Sequence, residues 1–397
     1  MRYLTLCCIA KDENARIVEW AAFHALRGVE RIVVYDNGSR LPLAETLAPL
    51  TDRIDIVVHE LPGPARQLEA YAHCLEVHGP RTKWLACIDV DEFLLPRRED
   101  DLRQVLTDFE EFAGLGVNWV MFGSSGHETP PPGLLIEAFT RRAPYEFPTN
   151  HHIKSIVRPA YVQGPLSPHH FAYAPGRHCV SERGFPLPGP YGPHHNARIQ
   201  LNHYFFRSRQ EFAEKVERGR GDMTTDQFRH SMRDFEQQLG YCSVEDTEMA
   251  RFAPAVRVVC DGGPVRAADT ADLGAESEKI ALLLSRNRLD LAEALSRECV
   301  VAHNGASAAW SLRGLVLARA GRHPEALSAL ATSLRIEQTV ENLTTLFRVQ
   351  QLCGDRDEAR RTARYLLWRL NGVDADLKEE CAAILAEIRT LLSDAAY

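Results

Sequence analysis

The sequence lacks any apolar run long enough to cross a membrane as a helix. None of its hydrophobic stretches approaches the roughly 20 consecutive apolar residues that a bilayer requires. The apolar start, residues 3–10, superficially resembles a signal peptide, but the charged stretch 11–13 follows it without a convincing cleavage site. We therefore expect residues 3–10 to form a buried strand, in a cytoplasmic protein that is either free or peripheral to the membrane.

The sequence also lacks an excess of positive charge and any pair of cysteines at metal-binding spacing. The formal net charge is −8, which gives no reason to expect nucleic acid as a partner and opposes general docking on an anionic membrane. The ten cysteines include no C-x-x-C pair, and Cys7, Cys8 and Cys87 lie in apolar runs, where cysteine behaves as a small hydrophobe. Neither a disulfide framework nor a structural zinc site is expected.

What the first 120 residues do contain is an alternation of strand-like and helix-like segments. Four short apolar runs are typical of strands: residues 3–10, 31–35, 53–59 and 84–88. Apolar residues at helical spacing fill two of the intervening stretches, 13–28 and 65–77. This alternation predicts an α/β fold with a mostly parallel central sheet and helices on both faces.

Polar clusters follow three of these predicted strands, at residues 11–14, 36–39 and 89–92. Ligands bind at the carboxyl ends of the strands in such sheets. The coincidence of polar clusters with strand ends therefore predicts a ligand site at one edge of the sheet.

Composition divides the chain into an α/β domain at 1–262, a linker at 263–275 and an all-α helical domain at 276–397. In the last part, Gly354 and Ala359 recur 33 residues after Gly321 and Ala326. That spacing is close to the period of about 34 residues of tetratricopeptide repeats. We expect helical hairpins resembling such repeats, and an irregular helical bundle is the alternative.

Asp89 and Asp91 come directly after the fourth predicted strand. In an extended segment, residues i and i+2 point the same way, so both carboxylates can share one hard cation. Oxygen ligands favour Mg²⁺ or Mn²⁺ over zinc. A metal that bridges diphosphate oxygens stabilises the charge on a departing nucleoside diphosphate. A solvated acidic turn is the alternative interpretation of this D-x-D motif.

Three ordered segments carry a family resemblance: Ala10–Asn14 with Glu19–Trp20, Tyr35–Ser39, and Ile88–Phe93. Together they resemble the family 2 and family 92 glycosyltransferases, which have the GT-A fold, and the resemblance extends over about residues 1–260. It implies a metal-dependent transferase that moves a sugar from a nucleotide sugar, most often a UDP-sugar, to a hydroxyl of a saccharide or glycolipid acceptor, with inversion.

The resemblance also implies nucleotide-binding residues. Asp36 would hydrogen-bond the base, and the loop that contains Lys11 and Glu13 would line the nucleoside. Arg66 and Gln67 open a helix whose N-terminus favours anions, so they would lie beside the base or the phosphates. A simple Asx turn is the alternative role for Asp36.

The resemblance implies that a histidine late in the domain is a further metal ligand, and His203 is the first candidate, because it ends a strand-like run. His169 and His170 compete for that role. A histidine satisfied by ordinary packing is the alternative. Lys215, on the helix that follows, would contact the leaving diphosphate. Lys154 lies in another segment that resembles the family, and it would also bind the nucleotide sugar.

An inverting transfer also needs a base that takes the proton of the acceptor hydroxyl. Glu128, which follows a probable strand and a turn, is the first candidate for this catalytic role, and Asp222 is the second. An ordinary surface carboxylate is the alternative for Glu128.

Two other functions remain open from the sequence. A nucleotidyltransferase would also suit a metal and such a sheet, but the loop at 11–14 is acidic and lacks the glycines of a phosphate loop. A catalytically inactive scaffold could instead use the helical domain to bind a protein partner or a second copy of the chain.

Overall fold

A computed structural model describes residues 1–99, 101–218, 231–263, 265, 270–303, 306–371 and 382–393 of the chain. The chain divides into two compact units, Met1–Val265 and Arg266–Tyr397. Each unit is described by itself below. Within the described ranges, no helix is long and apolar enough to cross a membrane.

The first unit alternates strands and helices along the sequence, as the apolar periodicity predicts. Its strands are β1 (Arg2–Ala10), β2 (Arg31–Asp36), β3 (Asp55–Glu60), β4 (Thr82–Cys87), β5 (Glu92–Pro96), β6 (Gly114–Met121), β7 (Arg141–Arg142), β8 (Ile153–Val157), β9 (Val162–Pro165), β10 (Phe171–Tyr173), β11 (Cys179–Val180), β12 (Pro186–Leu187), β13 (Ile199–His203) and β14 (Val244–Glu245). Its helices are α1 (Asn14–Leu26), α2 (Leu43–Leu47), α3 (Gln67–Val77), α4 (Leu102–Thr107), α5 (Leu135–Ala138), α6 (Arg209–Arg218), α7 (Met232–Tyr241) and α8 (Ala253–Cys260).

The central sheet is mixed but mostly parallel, with the order β12-β11-β6-β8-β4-β1-β2-β3. Strands β3, β2, β1 and β4 pair in parallel, and β8 runs antiparallel between β4 and β6. Strand β13 pairs in parallel with β6. The strands β1 to β4, β6 and β13 therefore share one direction, and their carboxyl ends meet at one edge of the sheet.

Strand β1 shows why the sheet is covered on both faces. Its side chains alternate between two apolar clusters, because successive residues of a strand point to opposite faces. Leu4 and Leu6 pack in the cluster that contains Trp20 of α1, whereas Cys7 packs in the cluster that contains Tyr71 of α3. All five side chains are fully buried. A nine-residue run that is apolar on both faces thus becomes a central strand.

The second unit is helical throughout the part that the structure describes. Its helices are α9 (Thr270–Ser285), α10 (Leu289–Ala302), α11 (Ser307–Arg319), α12 (His323–Ile336), α13 (Val340–Leu352), α14 (Arg356–Asn371) and α15 (Ala382–Ser393). Helix α9 begins at Thr270, inside the stretch 263–275 that we predicted to be a linker. The expected fold class, a mostly parallel α/β domain followed by an all-α region, is confirmed.

The glycines of the predicted repeat have a common structural role. Gly321 follows α11 and Gly354 follows α13, and both have a φ of +76°. This left-handed conformation ends a helix at little cost only when the residue is glycine. Similar helix ends therefore recur at the repeat spacing, and membership of the tetratricopeptide class stays a prediction.

Candidate active site

A cleft of about 740 Å³ lies at the carboxyl edge of the parallel strands. Loops after β1, β2 and β3 line one side of it, with Lys11, Asn37 and Ala65 among their residues. The D-x-D segment after β4 lies in the cleft wall, and Trp119 of β6 and His203 of β13 line it as well. The predicted position of the ligand site, at the strand ends, thus coincides with this cleft.

Asp89 lies in the cleft with both carboxylate oxygens engaged. Its Oδ1 accepts a hydrogen bond from Gln67 Nε2 at 2.8 Å, and its Oδ2 accepts one from Lys154 Nζ at 2.9 Å. The side chain is 34% exposed. Asp89 is therefore open to the cleft, and its charge is balanced by a buried lysine.

Asp91 lies deeper in the cleft than Asp89, beside His203 and Lys215. Its Oδ2 accepts a hydrogen bond from Lys215 Nζ at 2.8 Å, and its Oδ1 is 3.5 Å from His203 Nε2. Burial opposes the charge of Asp91, but Lys215 and His203 more than offset that effect and hold its pKa well below the usual range. Asp91 is therefore a permanent anion at neutral pH.

His203 is buried at the end of β13, and burial lowers its pKa despite the attraction of Asp91. Its Nδ1 has no hydrogen-bond partner among the described residues. The imidazole is therefore neutral at pH 7, which is the form that binds metals.

A third acid, Glu92, directly follows the D-x-D segment and pairs with Lys154. The two side chains are 3.2 Å apart and both are almost completely buried. Burial alone would lower the pKa of Lys154, but Asp89 and Glu92 raise it above its ordinary value. Lys154 is therefore charged, and it ties the D-x-D segment to β8.

The predicted nucleotide-binding residues divide into two groups. Lys11, Glu13 and Gln67 line the cleft, and Gln67 also donates to Asp89. Arg66 instead pairs with Glu69 on its own helix, at 2.6 Å. The first group therefore adjoins the D-x-D segment, whereas Arg66 is engaged within α3.

Asp36 ends β2 and is buried, with its carboxylate directed to the backbone that follows. Its Oδ1 accepts from the Ser39 N–H at 2.8 Å and its Oδ2 accepts from the Leu43 N–H at 2.9 Å. Asp36 thus binds the backbone of the loop that follows it, as the alternative interpretation expects, but through residues three and seven positions on and not through the i+2 contact of an Asx turn. A contact between Asp36 and a nucleotide base stays a prediction.

Of the two predicted bases, the structure describes only Glu128, which is not found in the cleft wall. Glu128 is 75% exposed, does not line the cleft, and its nearest cation is Arg209, with Oε2 3.8 Å from Nε. This is the position expected of an ordinary surface carboxylate. Asp222 lies outside the described residues.

The competing histidines differ in position. His169 lines the cleft, with its Nδ1 2.9 Å from the Ile153 carbonyl oxygen, and burial lowers its pKa to about 3. His170 does not line the cleft. Of the three histidines, His203 alone forms a close contact with Asp91 among the described residues.

Trp119 is a residue of the site that the sequence did not single out. Its indole Nε1 donates to Glu92 Oε1 at 2.6 Å, and its ring centroid is 4.4 Å from that of His203. The contact arises because β13 is hydrogen-bonded to both β5 and β6. No local pattern in the sequence signals it, since the pairing joins strands that are about 80 residues apart.

Two buried ion pairs connect the β1–α1 region to the α6 region. One joins the loop after β1 to the residues just before α6, and the other joins the start of α1 to the start of α6. Arg207 Nη1 is 2.7 Å from Glu13 Oε2, and Arg16 Nη2 is 2.9 Å from Glu211 Oε1. They connect one wall of the cleft to the helix that carries Lys215. Among the described residues, no group of three or more histidine, cysteine, aspartate or glutamate side chains is arranged to hold a metal ion.

Comparison with protein families gives a match over part of the first unit. Residues 2–176 match the model of glycosyltransferase family 92. The matched span contains Asp89, Asp91 and Lys154, whereas His203 and Lys215 lie beyond it. The predicted resemblance to family 92 is therefore confirmed over this span.

Curated proteins with similar sequences carry the same family description. A glycosyltransferase family 92 protein of Ricinus communis is 28% identical over 223 residues, which make up 54% of this chain and 37% of that protein. Another, of Oryza sativa subsp. japonica, is 28% identical over 184 residues, or 45% of this chain and 31% of that protein. The chain thus spans about a third of the length of the curated relatives that it matches.

A solved structure with a partial likeness is the crystal structure of S. aureus TarS 1-349. It is 12% identical in sequence, with a TM-score of 0.29, and the alignment covers 88% of this chain and 91% of that one. Residues 2–176 are similar to the family 92 glycosyltransferases, and the unit that contains them has a mixed sheet with its cleft at the carboxyl edge.

Proposed function

We propose that the protein is a metal-dependent glycosyltransferase. It moves a sugar from a nucleotide-diphosphate sugar, with UDP as the favoured nucleotide, to a hydroxyl group of a saccharide or glycolipid acceptor, with inversion. The single observation that carries this proposal is the grouping of Asp91, His203 and Lys215 in the cleft, beside Asp89. The family match over residues 2–176 supports the same reaction class.

The residues of the cleft fit a divalent cation, Mn²⁺ or Mg²⁺. Such ions are often held by one or two protein ligands together with phosphate oxygens of the substrate and water. Asp91 is anionic and His203 is neutral, so both have the protonation state of a ligand. His203 also has an unsatisfied buried nitrogen. Asp91 and His203 would hold the ion, and Asp89, which is bound by Lys154, would adjoin it.

The bound metal would stabilise the negative charge of the diphosphate leaving group. Lys215 would also stabilise the charge of the diphosphate, because its ammonium group lies beside the proposed metal ligand Asp91. Its Nζ is 2.8 Å from Asp91 and 3.9 Å from the centre of the Phe205 ring. A cation in a partly buried cleft stabilises developing phosphate charge more strongly than it would in water. Lys11, Glu13 and Gln67 would border the nucleotide on the side of β1 to β3.

The proposed transfer breaks one bond at the anomeric carbon and forms another. As the bond between the anomeric carbon and the diphosphate oxygen breaks, its electron pair leaves with the diphosphate. The acceptor oxygen forms a bond to the same carbon from the opposite side, which inverts the configuration. Its proton passes to a base in the cleft.

The test of this function is hydrolysis of UDP-glucose, UDP-galactose and UDP-N-acetylglucosamine in the presence of Mn²⁺ and again after chelation. We expect one of the three to be hydrolysed, and chelation to abolish the reaction. Asp91→Asn should lower the rate about 100-fold or more, since it removes the anionic ligand. The control is Asp52→Asn, whose carboxylate is 76% exposed.

Full activity of the Asp91→Asn variant would contradict the metal assignment. Calorimetry that detects binding of neither UDP nor Mn²⁺ to the wild-type protein would contradict the proposed function as a whole. That result would favour the alternative of a binding protein that uses its helical unit.

A further inference from the structure

Some of the carboxylates that line the cleft form ion pairs with lysine or arginine, and one does not among the described residues. Four are present among the described lining residues: Glu13, Asp89, Asp91 and Asp234. The first three form ion pairs at 2.7 to 2.9 Å, with Arg207, Lys154 and Lys215. A carboxylate held by a cation at this distance is a weak base, because the cation stabilises its ionised form.

Asp234 stands apart from these three. It lies in the first turn of α7, where its Oδ2 accepts from the Ser231 N–H at 2.8 Å and from the Ser231 Oγ at 3.4 Å. Within the part of the chain that the structure describes, no lysine, arginine or histidine forms an ion pair with Asp234, and its Oδ1 accepts no hydrogen bond. One oxygen thus caps the helix while the other retains its lone pairs.

The topology places Asp234 on the β6 side of the D-x-D segment. The neighbouring residue, Phe235, packs in a cluster with Met121 of β6 and Phe212 of α6. In the sheet, β6 lies on one side of β4, and β1 to β3 lie on the other. The loops proposed to receive the nucleotide follow β1 to β3, so a base on the β6 side faces the part of the cleft that is left for the acceptor.

We propose that Asp234 is the catalytic base, in place of Glu128 and Asp222. This assignment rests on the proposed glycosyltransferase function. The acceptor hydroxyl gives its proton to the Asp234 carboxylate while its oxygen bonds to the anomeric carbon, and the nucleoside diphosphate departs with the electron pair of the broken bond. The protonated carboxyl then releases the proton to solvent. Water takes the part of the acceptor in donor hydrolysis.

The first experiment separates a base from a helix cap. Asp234→Asn keeps an oxygen that can accept from the Ser231 N–H but cannot take up a proton. We expect hydrolysis of the preferred UDP-sugar to fall about 100-fold or more, with UDP affinity and thermal stability unchanged. The matched control is Ser231→Ala, which removes the hydroxyl contact with Asp234 and should leave the hydrolysis rate within the error of the wild type.

The second experiment tests whether a nucleophile that carries no proton restores the reaction when the base is absent. Azide attacks the anomeric carbon as an anion, so it should restore cleavage of the UDP-sugar in Asp234→Ala and yield a glycosyl azide of inverted configuration. A role in folding alone would give no such rescue. Asp234→Asn with wild-type hydrolysis, or Asp234→Ala without azide rescue, overturns the assignment. Failure of the wild-type protein to bind UDP with Mn²⁺ would instead contradict the proposed function.

Discussion

At the scale of single residues, the acids of the D-x-D segment are paired with lysines from distant parts of the chain. Lys154 reaches Asp89 from β8, and Lys215 reaches Asp91 from α6. Lys215 and His203 hold the pKa of Asp91 well below its usual range. In the proposed reaction, Lys215 would exchange its carboxylate partner for a phosphate.

A buried histidine away from the cleft predicts a pH dependence of stability. His24 Nδ1 donates to the Trp20 carbonyl oxygen and its Nε2 accepts from the Leu94 N–H, so the ring must be neutral. Burial lowers the pKa of His24 to about 3. Its stabilising contribution is thus fully present above a pH of about 6.5, the unfolded pKa, and is lost progressively as the pH falls toward 3.

Because of His24, we expect the free energy of unfolding to fall by about 2 kcal/mol when the pH is lowered from 7 to 5. The loss is about 1.4 kcal/mol for each pH unit below the unfolded pKa. Urea unfolding at both pH values measures it, with His24→Gln as the comparison. The wild type should lose about 2 kcal/mol more than the variant. Equal losses in the two proteins would show that His24 does not titrate on unfolding.

At the scale of secondary-structure elements, the helical unit depends on a close approach between α11 and α12. A Cβ atom at Gly314 would lie 2.6 Å from the Leu330 side chain and 3.1 Å from the Ala326 carbonyl oxygen. Leu330 is fully buried and therefore cannot move aside freely. The small residue is required by packing between the two helices.

Gly314→Ala should therefore destabilise the helical unit by about 1–3 kcal/mol, as overpacking does. Gly274 of α9 is the control, because a Cβ atom there meets nothing within 4 Å. Gly274→Ala should stabilise by about 0.5–1 kcal/mol through helix propensity. Thermal unfolding followed by circular dichroism measures both changes, and stabilisation by Gly314→Ala would refute the close packing.

At the scale of the whole molecule, the two units have separate apolar cores. The clusters that contain Trp20 and Tyr71 belong to the first unit. Those that contain Ile280, Leu330 and Phe347 belong to the second. A unit that buries its own core can fold without the rest of the chain.

We therefore expect the fragments 1–265 and 266–397 to fold separately. The first should bind UDP with Mn²⁺ as tightly as the full chain, since the residues of the cleft belong to it. The second should unfold cooperatively with a helical circular dichroism spectrum. Calorimetric titration and thermal unfolding of each fragment test this, and an unfolded fragment 1–265 would contradict it.

Much of the first unit was predictable because its signals are local. The apolar run of β1, the helical spacing of α1 and the D-x-D segment after β4 each lie within a few consecutive residues. The carboxyl ends of parallel strands must meet at one edge, so the position of the cleft followed as well. The fold class and the family resemblance could therefore be obtained from the sequence.

The partners of the site residues could not be obtained in this way. His203 comes beside Asp91 because β13 pairs with β5, and α7, which carries Asp234, packs through Phe235 in a cluster with Met121 of β6 and Phe212 of α6. Glu128 is also a carboxylate that follows a strand, yet it lies on the surface. The sequence by itself determined which segments bury apolar faces and where chemistry-bearing residues follow strands. Only the tertiary structure decided which of those residues share the cleft, because that depends on packing between segments far apart in the chain.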